Sequence, residues 1–311
     1  MANTYGKVSG TFEEIENAYG KVSGAWKEAD EIYGKVSGVW KLVFAAFTPS
    51  SVQTLSSGSG TFTVPDGANA IHIQASVGGG GGAAGGVSYD KAGGESSGAG
   101  GGSGAYISDK VLTVTEGETI TYAIGGGGAP GNQTSNFGQP KTGSAGTNTT
   151  LSGSAAGSLF SLVGGGGASG TNGGVQGPLR TNTAGTAGAA TISGTAITSG
   201  TFRDSDGTTK NITSLTAGPV GTFNQSGNGA VGGNNGNCSG DNCQIAGSNG
   251  ADSYAGNIDG GNGVGIGGPA ATVGTRGSGG GGGGAQNVGS TGETAFAGGA
   301  GEVQYRFLRV N

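Results

Sequence analysis

The stretch Thr61-Phe-Thr-Val-Pro-Asp-Gly-Ala-Asn-Ala-Ile-His-Ile-Gln-Ala-Ser-Val77 runs directly into five glycines, Gly78 to Gly82. Two runs of alternating apolar and polar residues flank a Pro-Asp-Gly turn, the pattern of two half-buried β-strands that pair or pack on one another. The same succession recurs in Ala105-Tyr-Ile-Ser-Asp-Lys-Val-Leu-Thr-Val-Thr-Glu-Gly-Glu-Thr-Ile-Thr-Tyr-Ala-Ile124, with a Glu-Gly break and then Gly125 to Gly128. Gly301-Glu-Val-Gln-Tyr-Arg-Phe-Leu-Arg-Val310 supplies a last strand. The expected fold is therefore mainly β, with a minimal β-core assembled from residues far apart in the chain.

Glycine accounts for 77 of 311 residues, and hydrophobic residues for only 32%. Further runs lie at Gly100 to Gly102, Gly164 to Gly167 and Gly279 to Gly284. Some continue at every third residue, as in Gly164, Gly167, Gly170 and Gly173, or Gly274, Gly277, Gly280 and Gly283. Three residues per turn is the period of the extended polyproline II helix, which has no internal hydrogen bonds. Its N–H and C=O groups must be satisfied by neighbours or by water. Ordering each glycine costs about 1 to 2 kcal/mol of backbone entropy with no side chain to offset it, so only a dense backbone lattice could compensate. Two readings remain, a flexible linker and a packed bundle of polyglycine II helices. The runs begin where strands end, after Val77, Ile124 and Val163, which favours the bundle. The Ser/Thr/Asn-rich text of residues 140–276 fits β-turns and polyglycine helices alike.

The N-terminus is a repeat. Tyr5-Gly-Lys-Val-Ser-Gly-Thr-Phe12, Tyr19-Gly-Lys-Val-Ser-Gly-Ala-Trp26 and Tyr33-Gly-Lys-Val-Ser-Gly-Val-Trp40 recur every 14 residues. A two-residue Ser-Gly loop between short runs reads as a β-hairpin. In that register Lys7 lies opposite Phe12, Lys21 opposite Trp26 and Lys35 opposite Trp40, a cation facing an aromatic three times over. Such hairpins are too small to be stable alone. They are either a terminal β-cap or a docking module whose three copies match three equivalent sites, as a single chain needs to sit on a trimeric shaft. Residues 1–47 form this module, 48–60 a Ser/Gly-rich linker, and 61–311 the glycine-rich domain.

The composition leaves little for catalysis. His72 is the one histidine, and alternation makes it a strand residue rather than a catalytic base. Cys238 and Cys243 are too few for a four-cysteine zinc site and enclose a short polar loop, so a disulfide or free thiols are the options, the disulfide favoured. Asp204-Ser-Asp206-Gly207 opens like a calcium loop, but position twelve would be Leu215, so a polar turn is expected and no metal. A net charge of −5 offers no basic stripe for nucleic acid. No apolar run spans a bilayer and Met1 opens no basic-apolar leader, so neither membrane insertion nor secretion is expected. No cofactor and no enzymatic activity are expected.

The order Thr-Phe-Thr-Val-Pro-Asp-Gly, strand, five glycines, then Gly-Ala-Tyr-Ile, Thr-Glu-Gly-Glu-Thr-Ile-Thr-Tyr-Ala-Ile, four glycines, then Gly-Glu-Val-Gln-Tyr-Arg-Phe resembles the glycine-rich domains of bacteriophage tail-fibre proteins. It covers residues 59–130 and 277–311. The layout as a whole resembles the distal tip adhesins, the receptor-binding proteins of T-even-like long tail fibres. That resemblance implies one chain capping a trimeric tail-fibre protein, polyglycine II helices in a lattice, and inter-glycine loops recognising a bacterial outer-surface receptor, an outer-membrane protein or a polysaccharide. The chain would be made in the host cytoplasm and end in the virion, at the distal tail fibre. Attachment would fall to Tyr5, Lys7, Phe12, Tyr19, Lys21, Trp26, Tyr33, Lys35 and Trp40. Receptor contact would fall to Tyr89, Asp90, Phe137, Phe202, Arg203, Phe223, Asn242 and Tyr254, since aromatic and arginine residues dominate hot spots. For each aromatic the alternative is plugging a core short of hydrophobes. A non-adhesive structural fibre or collar protein, a homotrimer, is the competing function.

Overall fold

The computed structural model describes residues 47–83, 98–131, 142–170, 182–218, 220–233, 248–253, 260–261, 274, 276–279 and 295–311, and short strands and turns at 5–8, 11–14, 19–28, 31–36, 38–45, 95–96, 237–238, 244–245 and 285–286. Among these residues the chain is mainly β, with antiparallel strands and no α-helix. After the N-terminal repeats, twelve described strands are three or more residues long: β1 (Gln53–Leu55), β2 (Ser59–Thr63), β3 (Ala70–Val77), β4 (Tyr106–Thr113), β5 (Thr119–Ala123), β6 (Thr149–Gly153), β7 (Gly157–Leu162), β8 (Ala190–Ile192), β9 (Thr201–Arg203), β10 (Thr209–Asn211), β11 (Gln225–Gly227) and β12 (Glu302–Leu308).

Two five-stranded sheets form a sandwich, in the orders β11-β4-β3-β12-β1 and β8-β7-β6-β5-β2. The two runs around Pro65-Asp66-Gly67 therefore pack rather than pair, β2 going to the second sheet and β3 to the first. Alternation selects the faces, so Ile71, Ile73, Ile107, Leu112 and Val303 of the first sheet meet Ile120, Leu151, Phe160 and Leu162 of the second. Few large apolar side chains are available and four aromatics are gathered at one place. Phe62 stacks on Tyr305 at 4.5 Å between ring centroids and meets Phe307 at 5.9 Å and Tyr122 at 6.1 Å. Each such pair contributes about 0.5–1.5 kcal/mol beyond its buried area.

Two sequence expectations are corrected here. The stretch read as a linker contains β1, which pairs with β12, and the first two residues of β2. The core is also larger than expected, because β6, β7 and β8 come from the Ser/Thr-rich insert. Glu118 ties that insert to the turn between β4 and β5: its carboxylate accepts N–H groups from Thr115 at 2.6 Å, Ala155 at 2.9 Å and Ala156 at 3.0 Å. Burial would raise its pKa, but the three amides outweigh it and hold the carboxyl below its ordinary 4.5. Its stabilisation is thus present above pH 4.5 and lost as pH falls below that value. Glu118→Gln is expected to cost about 2 kcal/mol at pH 7, the scale of hydrogen bonds to a charged acceptor, and less at pH 3; urea unfolding at the two pH values measures both.

Glycine segments lead out of the sandwich and back into it. Residues 78–83 continue β3, and 98–105 return into β4; 125–131 continue β5, and 142–148 return into β6; 163–168 continue β7, and 184–189 return toward β8. Residues 228–233 leave β11, and 295–301 return into β12. The donors of 78–83 rotate among three neighbours. Gly78 and Gly81 donate to Ala105 and Gly102, Gly79 and Gly82 to Thr147 and Ser144, and Gly80 and Ala83 to Gly299 and Phe296. Each of these neighbours runs antiparallel to 78–83. Outgoing segments lie parallel to one another: Gly165 and Ala168 donate to Gly79 and Gly82, and Gly128 and Gly131 to Gly80 and Ala83. Such spacing leaves no room for side chains on residues 79–82, since a Cβ on Gly79, Gly80, Gly81 or Gly82 would overlap a carbonyl oxygen of the adjacent segment. Gly277 departs from the expected series: with Arg276 it forms a left-handed turn (φ 77° and 37°), so the threefold spacing from Gly274 is interrupted there.

At the N-terminus, three separate antiparallel hairpins form, Tyr5–Val8 with Thr11–Glu14, Tyr19–Val22 with Ala25–Glu28, and Glu31–Val36 with Val39–Ala45. In the second, Ser23 and Gly24 both have positive φ (53° and 84°), the requirement of a type I′ turn.

Candidate functional site

Because every outgoing glycine segment is parallel to the others and its successor comes back, the described residues on either side of 84–97, 132–141 and 171–181 all lie at the end of the array away from the sandwich. Gly233 and Ser248, on either side of 234–247, lie there too, since Gly100 donates to Gly233 on an outgoing segment and Ser248 and Ala251 donate to Gly98 and Gly101 along a returning one. Short ladders lace this end together. Glu95–Ser96 pairs with Asn237–Cys238, and Gln244–Ile245 with Ala285–Gln286. Three connecting segments, 84–97, 234–247 and 280–294, are thereby joined through their backbones.

Tyr89, Asp90, Phe137 and Asn242 lie outside the described residues, within segments rooted at this end. Tyr254 is also outside them, in 254–259. Its segment is rooted elsewhere: the preceding Ser253 hydroxyl donates to the Arg276 carbonyl, at a turn whose Gly277 lies against Val77 at the end of β3. The expected Cys238–Cys243 bond cannot be placed, because Cys243 lies outside the described residues.

The remaining three candidates sit on the sandwich. Phe202 is 1% exposed and packs with Ile212 and Leu215 against Ala70, Val111 and Leu308, on the outer face of the first sheet; Phe223 is half-buried beside them. Phe202 therefore does not project to a partner. A sheet face carrying Val111 and Leu308 requires cover, and in this chain the cover is residues 197–224. Arg203 is half-buried on the same hairpin.

Beneath that cover lies a polar cluster that alternation alone did not reveal. His72, 1% exposed, places Nε2 3.1 Å from Asp109 Oδ1, while Arg306 Nε lies 3.4 Å from His72 Nδ1. A guanidinium can only donate, so Nδ1 is the acceptor and Nε2 carries the proton. Burial, reinforced by the Arg306 charge, keeps the imidazole pKa below 6.5 despite the bond to Asp109. Asp109 lies within β4 with a left-handed φ of 47°, and its second oxygen accepts the Gly218 N–H at 2.7 Å. Arg306 also reaches Asp204 Oδ1 at 3.2 Å and lies over the Phe202 ring at 5.6 Å. Lys210 then bridges Asp204 at 2.6 Å and Asp206 at 3.0 Å. The adjacent charges Asp109-Lys110 inside an otherwise apolar strand were the one sequence signal for this cluster.

The Asp204–Asp206 loop is a polar turn: Gly207 donates to the Asp204 carbonyl with φ 78°, and Thr208 and Lys210 occupy the carboxylates. Thr208 first, then Lys210, holds Asp206 far below the usual carboxylate range. Among the described residues no group of three or more His, Cys, Asp or Glu could hold a metal ion.

At the N-terminus the backbone register sets Tyr5 opposite Glu14, Lys7 opposite Phe12, Tyr19 opposite Glu28, Lys21 opposite Trp26, Tyr33 opposite Leu42 and Lys35 opposite Trp40. Lys35 is exposed.

No curated protein matches the chain. A family model described as a glycine-rich domain matches residues 54–308, which takes in both sheets, the glycine array and the cover over the first sheet. The chain therefore belongs to the glycine-rich domain family.

Proposed function

We propose that this protein is a tip adhesin of a bacteriophage tail fibre, a single chain that docks on a trimeric fibre through its N-terminal hairpins and meets a bacterial surface receptor through segments carried by a polyglycine II bundle. The observation that carries this reading is that the segments bearing Tyr89, Asp90, Phe137 and Asn242 are rooted at one end of the array, opposite the sandwich. The period-three rotation of donors among three neighbours supports polyglycine II geometry for the glycine segments. A rigid lattice of this kind holds variable loops at fixed spacing, with little ordering cost left for binding. Three equivalent hairpins, each opposing a lysine to an aromatic, fit three equivalent sites on a threefold shaft. Asn, Ser, Gly and Tyr in the connecting segments match the adaptable hydrogen bonding and low-entropy anchors of recognition loops. The protein works without catalysis or cofactor, at the distal fibre of the virion.

Light scattering on the purified full-length chain tests the proposal. A monomer of 29.4 kDa is expected. A stable species of three times that mass would overturn it and favour a structural fibre whose repeats meet one another.

A further inference from the structure

Residues 197–224 cover the outer face of the first sheet through a small number of cross-ties. Ile197 donates to the Val111 carbonyl at 2.9 Å, Gly218 to Asp109 Oδ2 at 2.7 Å and Asn224 to the Asp109 carbonyl at 2.8 Å. Gln74 Nε2 donates to the Ala217 carbonyl at 3.2 Å, and Lys110 Nζ to Asn224 Oδ1 at 2.7 Å. The ionic tie is Asp204 to Arg306, whose guanidinium rests on Phe202. His72 lies under all of this. The charges bearing on it are Asp109 from β4 and Arg306 from β12. The covering segment contributes Asp204 through Arg306, and its other charged residues are Arg203, Asp206 and Lys210.

We propose that residues 197–224 are an acid-releasable cap: uptake of one proton at His72 Nδ1 expels the Arg306 guanidinium, and the cap lifts from the first sheet while the sandwich stays folded. The only nitrogen on the ring free to take a proton is the one that accepts from Arg306. Protonation there sets two N–H donors against each other and two cations within hydrogen-bond distance at a ring that is itself buried, where their repulsion is less screened than in water. Arg306 must withdraw, and it takes with it the cap's tie to Asp204 and the support under Phe202. The sandwich core lies on the opposite face of the sheet and is untouched by this exchange. Lifting the cap hydrates the imidazolium and bares Ala70, Val111 and Leu308.

The sign follows from the direction of the shift. His72 is held below 6.5 when covered and returns toward 6.5 when the cap is open, so closure is complete above pH 6.5 and weakens as pH falls below it. Asp204, held below its ordinary 3.8 by Lys210, Ser205 and Arg306 against the effect of burial, stays charged through this range. One proton per opening event gives up to about a tenfold rise in opening per pH unit.

Amide hydrogen exchange on the full chain from pH 7.5 to 4.5, corrected for the intrinsic effect of pH, reads this out. Protection of Ile197, Gly218 and Asn224 is expected to fall about tenfold per unit below pH 6.5, while the amides of β3 and of β4 at Ile107 hold theirs. In His72→Gln, whose amide can donate to Asp109 and accept from Arg306, the cap amides should show no such fall. Equal loss in cap and core, loss that persists in the variant, or no loss would each overturn the proposal. If that variant does not fold, the NMR signal of the chain's one histidine takes its place. It must titrate with the midpoint of cap opening, and a titration that leaves the cap amides protected refutes the latch.

Discussion

Gly81→Ala is expected to destabilise the protein by about 3 kcal/mol or more, the upper range for overpacking, whereas Gly126→Ala should leave stability unchanged or raise it by about 0.4–1 kcal/mol. Neither glycine has a positive φ, so backbone strain is not the reason for either residue. Space is. The Gly81 N–H donates to Gly102 at 2.8 Å, and a Cβ built on Gly81 would overlap the carbonyl of Gly166 on the neighbouring parallel segment. That carbonyl belongs to a backbone held on several sides. Gly165 donates to Gly79, Gly166 to Thr186 and Ala168 to Gly82, so it cannot withdraw without breaking other bonds of the array. At Gly126 the added methyl meets nothing closer than the Thr147 hydroxyl at 3.8 Å, an ordinary contact on an exposed edge. There alanine acts only by reducing the freedom of the unfolded chain. Denaturant midpoints at unchanged slope separate the two variants. A Gly81→Ala protein as stable as wild type would mean that the segments do not approach as closely as the hydrogen bonds require.

The strands β2, β3, β4, β5 and β12 were legible because their apolar residues alternate over five or more positions. β6, β7 and β8 were not. Thr149-Thr-Leu-Ser-Gly153 and Gly157-Ser-Leu-Phe-Ser-Leu162 carry one and three large apolar residues among Ser, Thr and Gly, and propensity alone does not separate such text from turns. Leu151, Phe160 and Leu162 are nonetheless fully buried, since a second sheet needs only a few apolar anchors when the first supplies the rest. The glycine array was legible as a class of structure from the strand-to-glycine junctions at Val77, Ile124 and Val163. Its period of three was also read from the glycine series at Gly164, but which segments neighbour one another was not: in a run of five glycines the choice of partner lives in the donors, which leave no mark on the sequence. At the candidate site, Phe202 was legible as an aromatic beside charges, with receptor contact and core-plugging both open, and the structure takes the second. The sheet face it covers is built from β3, β4 and β12, the last more than a hundred residues distant from it.

Asp109→Ala should cost about 3–5 kcal/mol, the scale for removing one member of a buried, hydrogen-bonded charge cluster. The position carries two demands at once. Its backbone is left-handed at φ 47°, where alanine is disfavoured by about 1–2 kcal/mol and glycine or asparagine is not. Its carboxylate, fully buried, satisfies His72 Nε2–H and Gly218 N–H, and losing it strands two donors away from water at about 1–3 kcal/mol each. Three substitutions separate these demands. Asp109→Gly relieves the backbone and keeps the stranded donors, so it should fall between wild type and alanine. Asp109→Asn keeps the backbone and offers one acceptor, but its NH2 then faces whichever donor the oxygen does not take. The expected order of stability is wild type, then Asn, then Gly, then Ala, measured by urea unfolding at pH 7.5, where His72 is neutral. Were Asp109→Gly as stable as the wild-type chain, the position would owe its aspartate to backbone conformation alone. The cluster under residues 197–224 would then contribute nothing to holding them down, which is the outcome that most directly contradicts the bonding described for it.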